Sequence, residues 1–193
     1  MKSMMVCCGS ANGHKQDYMD AAYYTGQTLA AQAIQVVYGG ACTGLMGAVA
    51  NGALAAGGRV IGILPDFLRT KEIVHTGLTE LIIVETMHER KMRMHELSDS
   101  IIALPGGFGT MEELFEMLTW AQLGLHLKPI GLLNINGFYD PLLSLVATMH
   151  LEGFLKSADA DRLLTDRVLE PLLAAMENYV APPTPVWITE ETT

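Results

Sequence analysis

The sequence predicts an α/β fold, a doubly wound parallel sheet with helices on both faces. Short segments of apolar, often β-branched residues alternate with amphipathic segments along nearly the whole chain. The apolar segments are apolar at successive positions, which is typical of parallel strands covered on both faces. Strands that alternate with helices in this way form right-handed βαβ units, so we expect one sheet with all strands running in the same direction.

Seven apolar segments are predicted as strands, in the order MMVCCG (4–9), IQVVYGG (34–40), RVIGILP (59–65), ELIIVET (80–86), SIIALPGG (100–107), KPIGLLN (128–134) and DRLLT (161–165). Segments with helical periodicity predict helices over 17–34, 44–58, 88–98, 110–124, 139–154 and 166–180. One segment, 66–77, breaks the alternation, because a full helix is expected between the third and fourth strands. It is predicted as either a short helix with a loop or a flap over the functional site.

Composition and charge narrow the class of protein. The 193 residues, 50% of them hydrophobic, predict a single globular domain over residues 1–180 and a loosely held tail over 181–193. A net charge of −9 disfavours binding to a nucleic acid polymer or to an anionic membrane. The longest apolar runs fall short of the roughly 20 residues that a membrane span needs. Three cysteines without a CxxC pair suit a reducing compartment, and we predict a cytoplasmic location.

Three glycine-rich stretches follow predicted strands, at 8–13, 38–47 and 104–110. In open parallel sheets, ligands bind beyond the carboxyl ends of the strands, so we expect a functional site where these stretches meet. Neither the GxGxxG fingerprint of dinucleotide binding nor the GxxxxGK[ST] fingerprint of nucleoside triphosphate binding is present in the sequence.

The stretch 103–113, ALPGGFGTMEE, allows two interpretations. Thr110 and Glu113 have the spacing of a capping box, which would explain both residues without any function. A cap does not require the glycines, however, and bare backbone before a helix N-terminus favours phosphate binding. Carboxylates in a first helical turn would be held ionised, which suits a base or an anion beside a developing cation. Glu112 and Glu113 are about 100° apart around a helix and should point in different directions.

Positive charge is concentrated in the segment HERKMRMHE, 88–96. Arg90 and Lys91 are expected near a helix start at the same edge of the sheet as the glycine stretches, where an arginine fork could bind phosphate or carboxylate. The alternative is a solvated helix face, and Arg93 fits it best. The six histidines lack metal-ligand spacing, so no metal site is predicted. Cys7 and Cys8 end a buried strand and are expected to be inert thiols.

Two motifs, M-x-x-R-K at Met87 to Lys91 and P-G-G-x-G-T-x-x-E at Pro105 to Glu113, are highly specific in combination. On these residues the chain resembles the LONELY GUY (LOG) family, the cytokinin riboside 5′-monophosphate phosphoribohydrolases. The resemblance covers about residues 4–180. Members have often carried the label lysine decarboxylase, which nothing in this sequence supports.

The resemblance implies a Rossmann-like fold, a homodimer or higher homo-oligomer, and no metal or organic cofactor. It implies hydrolysis of the N-glycosidic bond of an adenosine 5′-monophosphate, with or without an N6 isoprenoid group, to the free base and ribose 5-phosphate. The implied catalytic pair is Arg90 and Glu113. The implied substrate-binding residues are Glu72, Arg90, Lys91, Gly106, Gly107, Phe108, Gly109, Thr110, Met111, Glu112 and Thr119.

Two other functions compete with hydrolysis. One is a non-catalytic carrier of a nucleotide or of molybdenum cofactor with the same Rossmann-like architecture, and the other is a nucleotide-sensing regulatory subunit. The combination of Arg90 and Glu113 favours the enzyme, because a carrier has no need of it. Ala11, Ala41 and Cys42 depart from the family pattern and leave the preferred base open.

Overall fold

All seven predicted strands are confirmed, and they form one parallel sheet. The computed structural model describes residues 1–69 and 74–183. The strands are β1 (Ser3–Cys7), β2 (Gln35–Tyr38), β3 (Val60–Pro65), β4 (Glu80–Val84), β5 (Ser100–Ala103), β6 (Ile130–Leu133) and β7 (Leu163–Asp166). They are shorter than predicted, because the glycines after several of them belong to loops.

The strand order is β4-β3-β2-β1-β5-β6-β7, and every pair of neighbouring strands is parallel. The chain therefore winds outward from β1 in one direction and outward from β5 in the other. Loops after β1 and β5 diverge at this reversal and leave a crevice at the carboxyl ends of the central strands. The predicted doubly wound topology is confirmed.

Helices cover both faces of the sheet, as predicted. They are α1 (Gln16–Ala31), α2 (Gly44–Ala55), α3 (Met87–Glu96), α4 (Phe108–Gln122), α5 (Asp140–Leu151), α6 (Ser157–Ala160) and α7 (Leu169–Glu177). One buried apolar cluster joins the sheet to α1, α2 and α7, and a second joins it to α3, α4 and α5. The short helix α6 was not predicted, because four residues are too few to show a helical period.

The contact between α1 and α2 explains two glycines that lie far from the predicted site. A Cβ atom on Gly26 would overlap the carbonyl oxygen of Val49, and one on Gly52 would overlap the carbonyl oxygen of Tyr23. These two glycines allow the helix backbones to touch directly. They are needed for packing and not for binding.

The irregular segment 66–77 begins with a single 3-10 turn, Asp66–Leu68, and not with a full helix. Residues 70–73 lie outside the described part of the chain. Beyond them, Val74 forms an isolated bridge to Ala41, and the backbone N–H of His75 donates to the carbonyl of Gly40 at 3.1 Å. This end of the segment is therefore attached to the loop after β2.

Two predictions concern the chain as a whole. Among the described residues, no helix is long and apolar enough to span a membrane. The domain boundary at residue 180 stays a prediction, since residues 184–193 of the proposed tail lie outside the described part.

A histidine pair that the sequence did not predict joins α3 to the loop before β6. The rings of His95 and His126 lie 4.9 Å apart, and Trp120 packs edge-on against His95 at 5.4 Å. Burial is the main reason that the pKa of each histidine is lowered to about 4. Both rings are therefore neutral in the native protein at neutral pH.

We predict that this pair makes the protein less stable in acid. Each native pKa of about 4 lies below the value of about 6.5 in an unfolded chain, so the unfolded state binds more protons between these values. Stability is complete above about pH 6.5 and falls as the pH decreases toward about 4. Chemical denaturation at several pH values should show this loss, and His126→Gln should reduce it. His88→Gln, which alters an exposed histidine of α3, is the control. An unchanged pH dependence in His126→Gln would contradict the assignment.

Candidate functional site

The candidate site is a cavity of about 310 Å³ at the carboxyl ends of β1 and β2, between α3 and α4. Loops from all three predicted glycine-rich stretches contribute to its wall. The lining residues are Val6, Cys8, Gly9, Ser10, Gly39, Met46, Leu68, Met87, Arg90, Gly107, Phe108, Gly109, Thr110 and Glu113. The predicted convergence of the glycine stretches at this edge of the sheet is confirmed.

Arg90 and Glu113 form an ion pair in this cavity. The Nη1 atom of Arg90 lies 3.3 Å from Oε1 of Glu113, and each side chain is 9% exposed. Helix α3 is capped at its start by Thr86, whose hydroxyl accepts the backbone N–H of Glu89 at 3.1 Å. This start places Arg90 on the inward side of α3, where its Nε–H donates to the carbonyl of Ile63 on β3 at 3.2 Å.

Opposing effects act on the Glu113 carboxyl. Burial raises its pKa above the usual value, and the charge of Arg90 lowers it in part. The Cys7 thiol, within hydrogen-bonding reach at the end of β1, also lowers the pKa of Glu113. Burial raises the pKa of Cys7 itself, so the thiol stays protonated and can donate. The expectation that a first-turn position holds Glu113 ionised is wrong, because Glu113 lies in the second turn of α4 and is controlled by burial and Arg90.

The capping interpretation of Thr110 is also wrong. Helix α4 begins at Phe108 with Gly107 as its N-cap residue, and no side chain caps it. The helix starts earlier than the capping-box spacing suggests, so Thr110 lies inside the first turn. A Cβ atom on Gly106 would come within 2.6 Å of Cβ of Thr110, so the glycine makes room for this side chain.

The start of α4 retains the properties of an anion site. The N–H groups of a first helical turn have no partner within the helix. Cβ atoms added to Gly107 or Gly109 would meet nothing within 4 Å, so both glycines face open space at the cavity wall. Bare backbone and unpaired N–H groups at the positive end of a helix dipole suit a phosphate.

Other residues implied by the resemblance do not line this cavity. Lys91 is buried on the side of α3 that faces α4, where its Nζ atom contacts the carboxylate of Glu112 and lies 3.0 Å from that of Glu116. Glu112 and Glu113 do point in different directions, as predicted. Thr119 is exposed, and its hydroxyl donates to the carbonyl of Phe115 at 2.7 Å.

The remaining residues of that set are distributed as follows. Met111 packs against the buried cluster of α3, α4 and α5, and Gly106 borders a neighbouring apolar pocket of about 250 Å³. Glu72 lies outside the described residues.

Several residues of the cavity wall lie in or near the predicted stretches and motifs but were not named individually as site residues. Met46, Leu68 and Met87 contribute apolar surface, and Cys8 directly follows β1. Their positions follow from strand ends and helix starts, so only exact element boundaries could have indicated them. Burial raises the pKa of Cys8, consistent with the expected inert thiol.

Comparison with known sequences places these motifs in a family. Residues 46–176 match the family model described as "Possible lysine decarboxylase". The chain is 47% identical over 178 residues to a cytokinin riboside 5′-monophosphate phosphoribohydrolase of Rhodococcoides fascians, covering 92% of this chain and 90% of the relative. It is 44% identical over 180 residues to an enzyme of the same name from Arabidopsis thaliana, covering 93% and 84%.

Solved structures with the same fold include proteins of other function. The molybdenum cofactor binding protein of Rippkaea orientalis superposes with a TM-score of 0.69 at 23% identity, covering 92% of this chain and 96% of that one. The molybdenum cofactor carrier protein of Chlamydomonas reinhardtii also gives 0.69, at 19% identity, with coverages of 91% and 94%. At this identity the likeness concerns the fold alone. The family match and the sequence relatives go further, and by them the chain belongs to the LONELY GUY family, whose model carries the lysine decarboxylase description.

Proposed function

We propose that this protein hydrolyses the N-glycosidic bond of adenosine 5′-monophosphates, releasing the free base and ribose 5-phosphate. The observation that carries the proposal is the Arg90–Glu113 ion pair beside the uncapped start of α4, in one cavity. The relatives named above as phosphoribohydrolases support the same reaction. Water is the only second reactant.

The reaction chemistry assigns one role to the Arg90–Glu113 pair and another to the start of α4. Departure of the base develops positive charge on the ribose, as in glycoside hydrolysis. An ionised Glu113 stabilises this charge and orients the attacking water, which supplies a hydroxyl to C1′ and a proton to the leaving base. Arg90 favours the ionised form of Glu113 and opposes the effect of burial, which raises the pKa of this carboxyl. The 5′-phosphate binds the first N–H groups of α4.

The apolar residues at the mouth of the cavity favour binding of a base that carries an apolar substituent. Phe108 is 97% exposed, and Met87 is 36% exposed. Phe108 and Met87 line the cavity directly, together with Leu68. We therefore include both adenine and N6-isoprenoid adenine as leaving bases.

We further propose that two copies of the chain pair through the face formed by α4 and α5. Helix α5 has the apolar sequence DPLLSLVATMHL, yet none of its residues is buried. Leu145 is 48% exposed and Leu151 is 82% exposed, and an apolar pocket of about 190 Å³ lies between α4 and α5. An apolar face of this kind is typical of a subunit interface.

We also propose a cytoplasmic location, which the three free cysteines support.

The first prediction from the proposed function concerns hydrolysis of the nucleotide. Purified protein should release adenine from AMP, or an N6-substituted adenine from its 5′-monophosphate, with a kcat/KM at least about 100-fold above that for the nucleoside, because only the nucleotide uses the helix terminus. Chromatography of the reaction mixture measures both. Equal activity on the nucleoside would rule out the phosphate role of α4. Tight nucleotide binding without any release of base would favour the carrier function.

The second prediction concerns Glu113. Glu113→Gln should lower kcat by at least about 100-fold, because the neutral amide cannot stabilise the ribosyl cation. Glu96→Gln is the matched control, since Glu96 is exposed on α3 and, within the described part of the chain, pairs with Arg93 alone. Circular dichroism should show both variants folded. A folded Glu113→Gln variant with full activity would exclude Glu113 from catalysis.

The third prediction concerns assembly. Leu145→Lys combined with Leu151→Lys should halve the mass measured by light scattering, because charge on α5 opposes its burial against a second copy. Tyr23→Lys, on the opposite face of the sheet, is the control and should leave the mass unchanged. A wild-type chain that is monomeric at micromolar concentration would refute the proposed pairing.

A further inference from the structure

The loop after β2 touches the catalytic arginine at a residue without a side chain. Gly39 lies against the guanidinium of Arg90, and both residues line the cavity. A Cβ atom on Gly39 would overlap Nη2 of Arg90, and it would lie 3.1 Å from Cζ of Arg90 and 2.9 Å from Sδ of Met46. The thioether of Met46 can move aside, whereas the guanidinium is held by its other contacts.

The requirement at Gly39 is for space and not for backbone conformation. Its φ angle does not lie in the left-handed region, so an alanine could adopt the backbone of this residue without strain. The next residue, Gly40, differs in this respect, because its φ is +81°. A substitution at Gly39 therefore tests the contact with Arg90 separately from loop geometry.

The three nitrogens of Arg90 have separate neighbours. Its Nε atom donates to the Ile63 carbonyl at 3.2 Å, Nη1 pairs with Glu113 at 3.3 Å, and Nη2 lies on the backbone of Gly39. Because a guanidinium is a rigid planar fork, displacing one nitrogen moves the other two. Gly39 and Ile63 together thus define where Nη1 meets the carboxylate.

We propose that Gly39 is a positioning residue for the reaction, because the Arg90 guanidinium packs against its bare backbone and is thereby aligned with Glu113. The inference rests on the hydrolytic function proposed above. It adds the loop after β2, which carries no charged group of its own in the site, to the parts of the protein on which catalysis depends. Any side chain at this position forces the guanidinium away from the carboxylate.

The charges around Glu113 make the effect measurable. Arg90 and Lys91 on α3 lower the pKa of Glu113, Glu112 raises it, and Cys7 on β1 lowers it through its thiol. Arg90 has the largest effect of these neighbouring groups. Moving its guanidinium should therefore raise the pKa of Glu113, and the acidic limb of the kcat/KM profile should shift to higher pH.

The test compares Gly39→Ala, Arg90→Lys and the double variant with wild type. Gly39→Ala should lower kcat/KM by at least about 10-fold and move the acidic limb upward, since the effect of a misplaced catalytic group is large. Lysine lacks the Nη2 atom that meets Gly39, so Gly39→Ala should change little when Arg90 is already lysine. Gly131→Ala is the control, because its Cβ would press on the Met176 thioether in a core remote from the site. It should lower stability without moving the pH profile.

A second readout does not depend on turnover. Carbon-13 NMR of labelled glutamate side chains, assigned with Glu113→Gln, follows the titration of Glu113 in all four proteins. The proposal predicts a higher pKa in Gly39→Ala and no further rise in the double variant beyond Arg90→Lys. Should Gly39→Ala fail to fold, recovery of folding in the double variant would support the clash with Arg90. A double variant that is unfolded, or whose losses equal the sum of the single losses, would overturn the proposal.

The outcomes separate this inference from the proposed function. If wild type releases no base, the hydrolase proposal fails, while the NMR titration still decides whether Gly39 positions Arg90 beside Glu113. If wild type hydrolyses the nucleotide and Gly39→Ala matches it in rate and pH profile, only the positioning role is lost.

Discussion

The ion pair between Arg90 and Glu113 is the constraint on which the rest of the site depends. A charge with so little exposure is costly unless an opposite charge and hydrogen bonds compensate it. Here the compensation comes from several elements, since Arg90 lies on α3, Glu113 on α4, and the Ile63 carbonyl on β3. Removing either member leaves the other buried without a counter-charge, so the pair also fixes how the two helices meet the sheet.

The sheet topology makes this arrangement possible. Because β1 and β5 are the innermost strands of the two halves, the loops that follow them separate and leave space at their carboxyl ends. Helix α4 starts directly in this space, and α3 approaches it from the neighbouring half. The glycines then serve different purposes, since Gly106 accommodates Thr110 whereas Gly107 and Gly109 leave the cavity wall open. One glycine-rich motif thus combines packing with access for a ligand.

The sequence was sufficient for the strands, the topology class and the edge of the sheet that carries the site. These features follow from apolar runs and glycines, which report burial and chain reversal locally. The start of α4 could not be predicted in the same way, because Thr110 and Glu113 satisfy a local capping pattern although the helix begins at Phe108. The pairing of His95 with His126 depends on how α3 packs near β6, and no local pattern contains that information.

The difference between local sequence and tertiary packing also explains why the two adjacent glutamates differ in burial and in charge partner. Their sequence context is nearly identical, yet Glu112 is half exposed beside Lys91, and Glu113 is buried against Arg90. Burial raises the pKa of Glu113 and the arginine lowers it, so the ionisation of this carboxyl depends on the balance of two opposing effects. A small displacement of the guanidinium shifts that balance more than any change at the exposed Glu112 could. A poorly solvated carboxylate, when ionised, interacts strongly with a cation that forms beside it, because little water competes. The low exposure of the pair therefore strengthens the electrostatic interaction between Glu113 and the reacting ribose. The contacts that hold Arg90 in place matter for the reaction as well as for the fold.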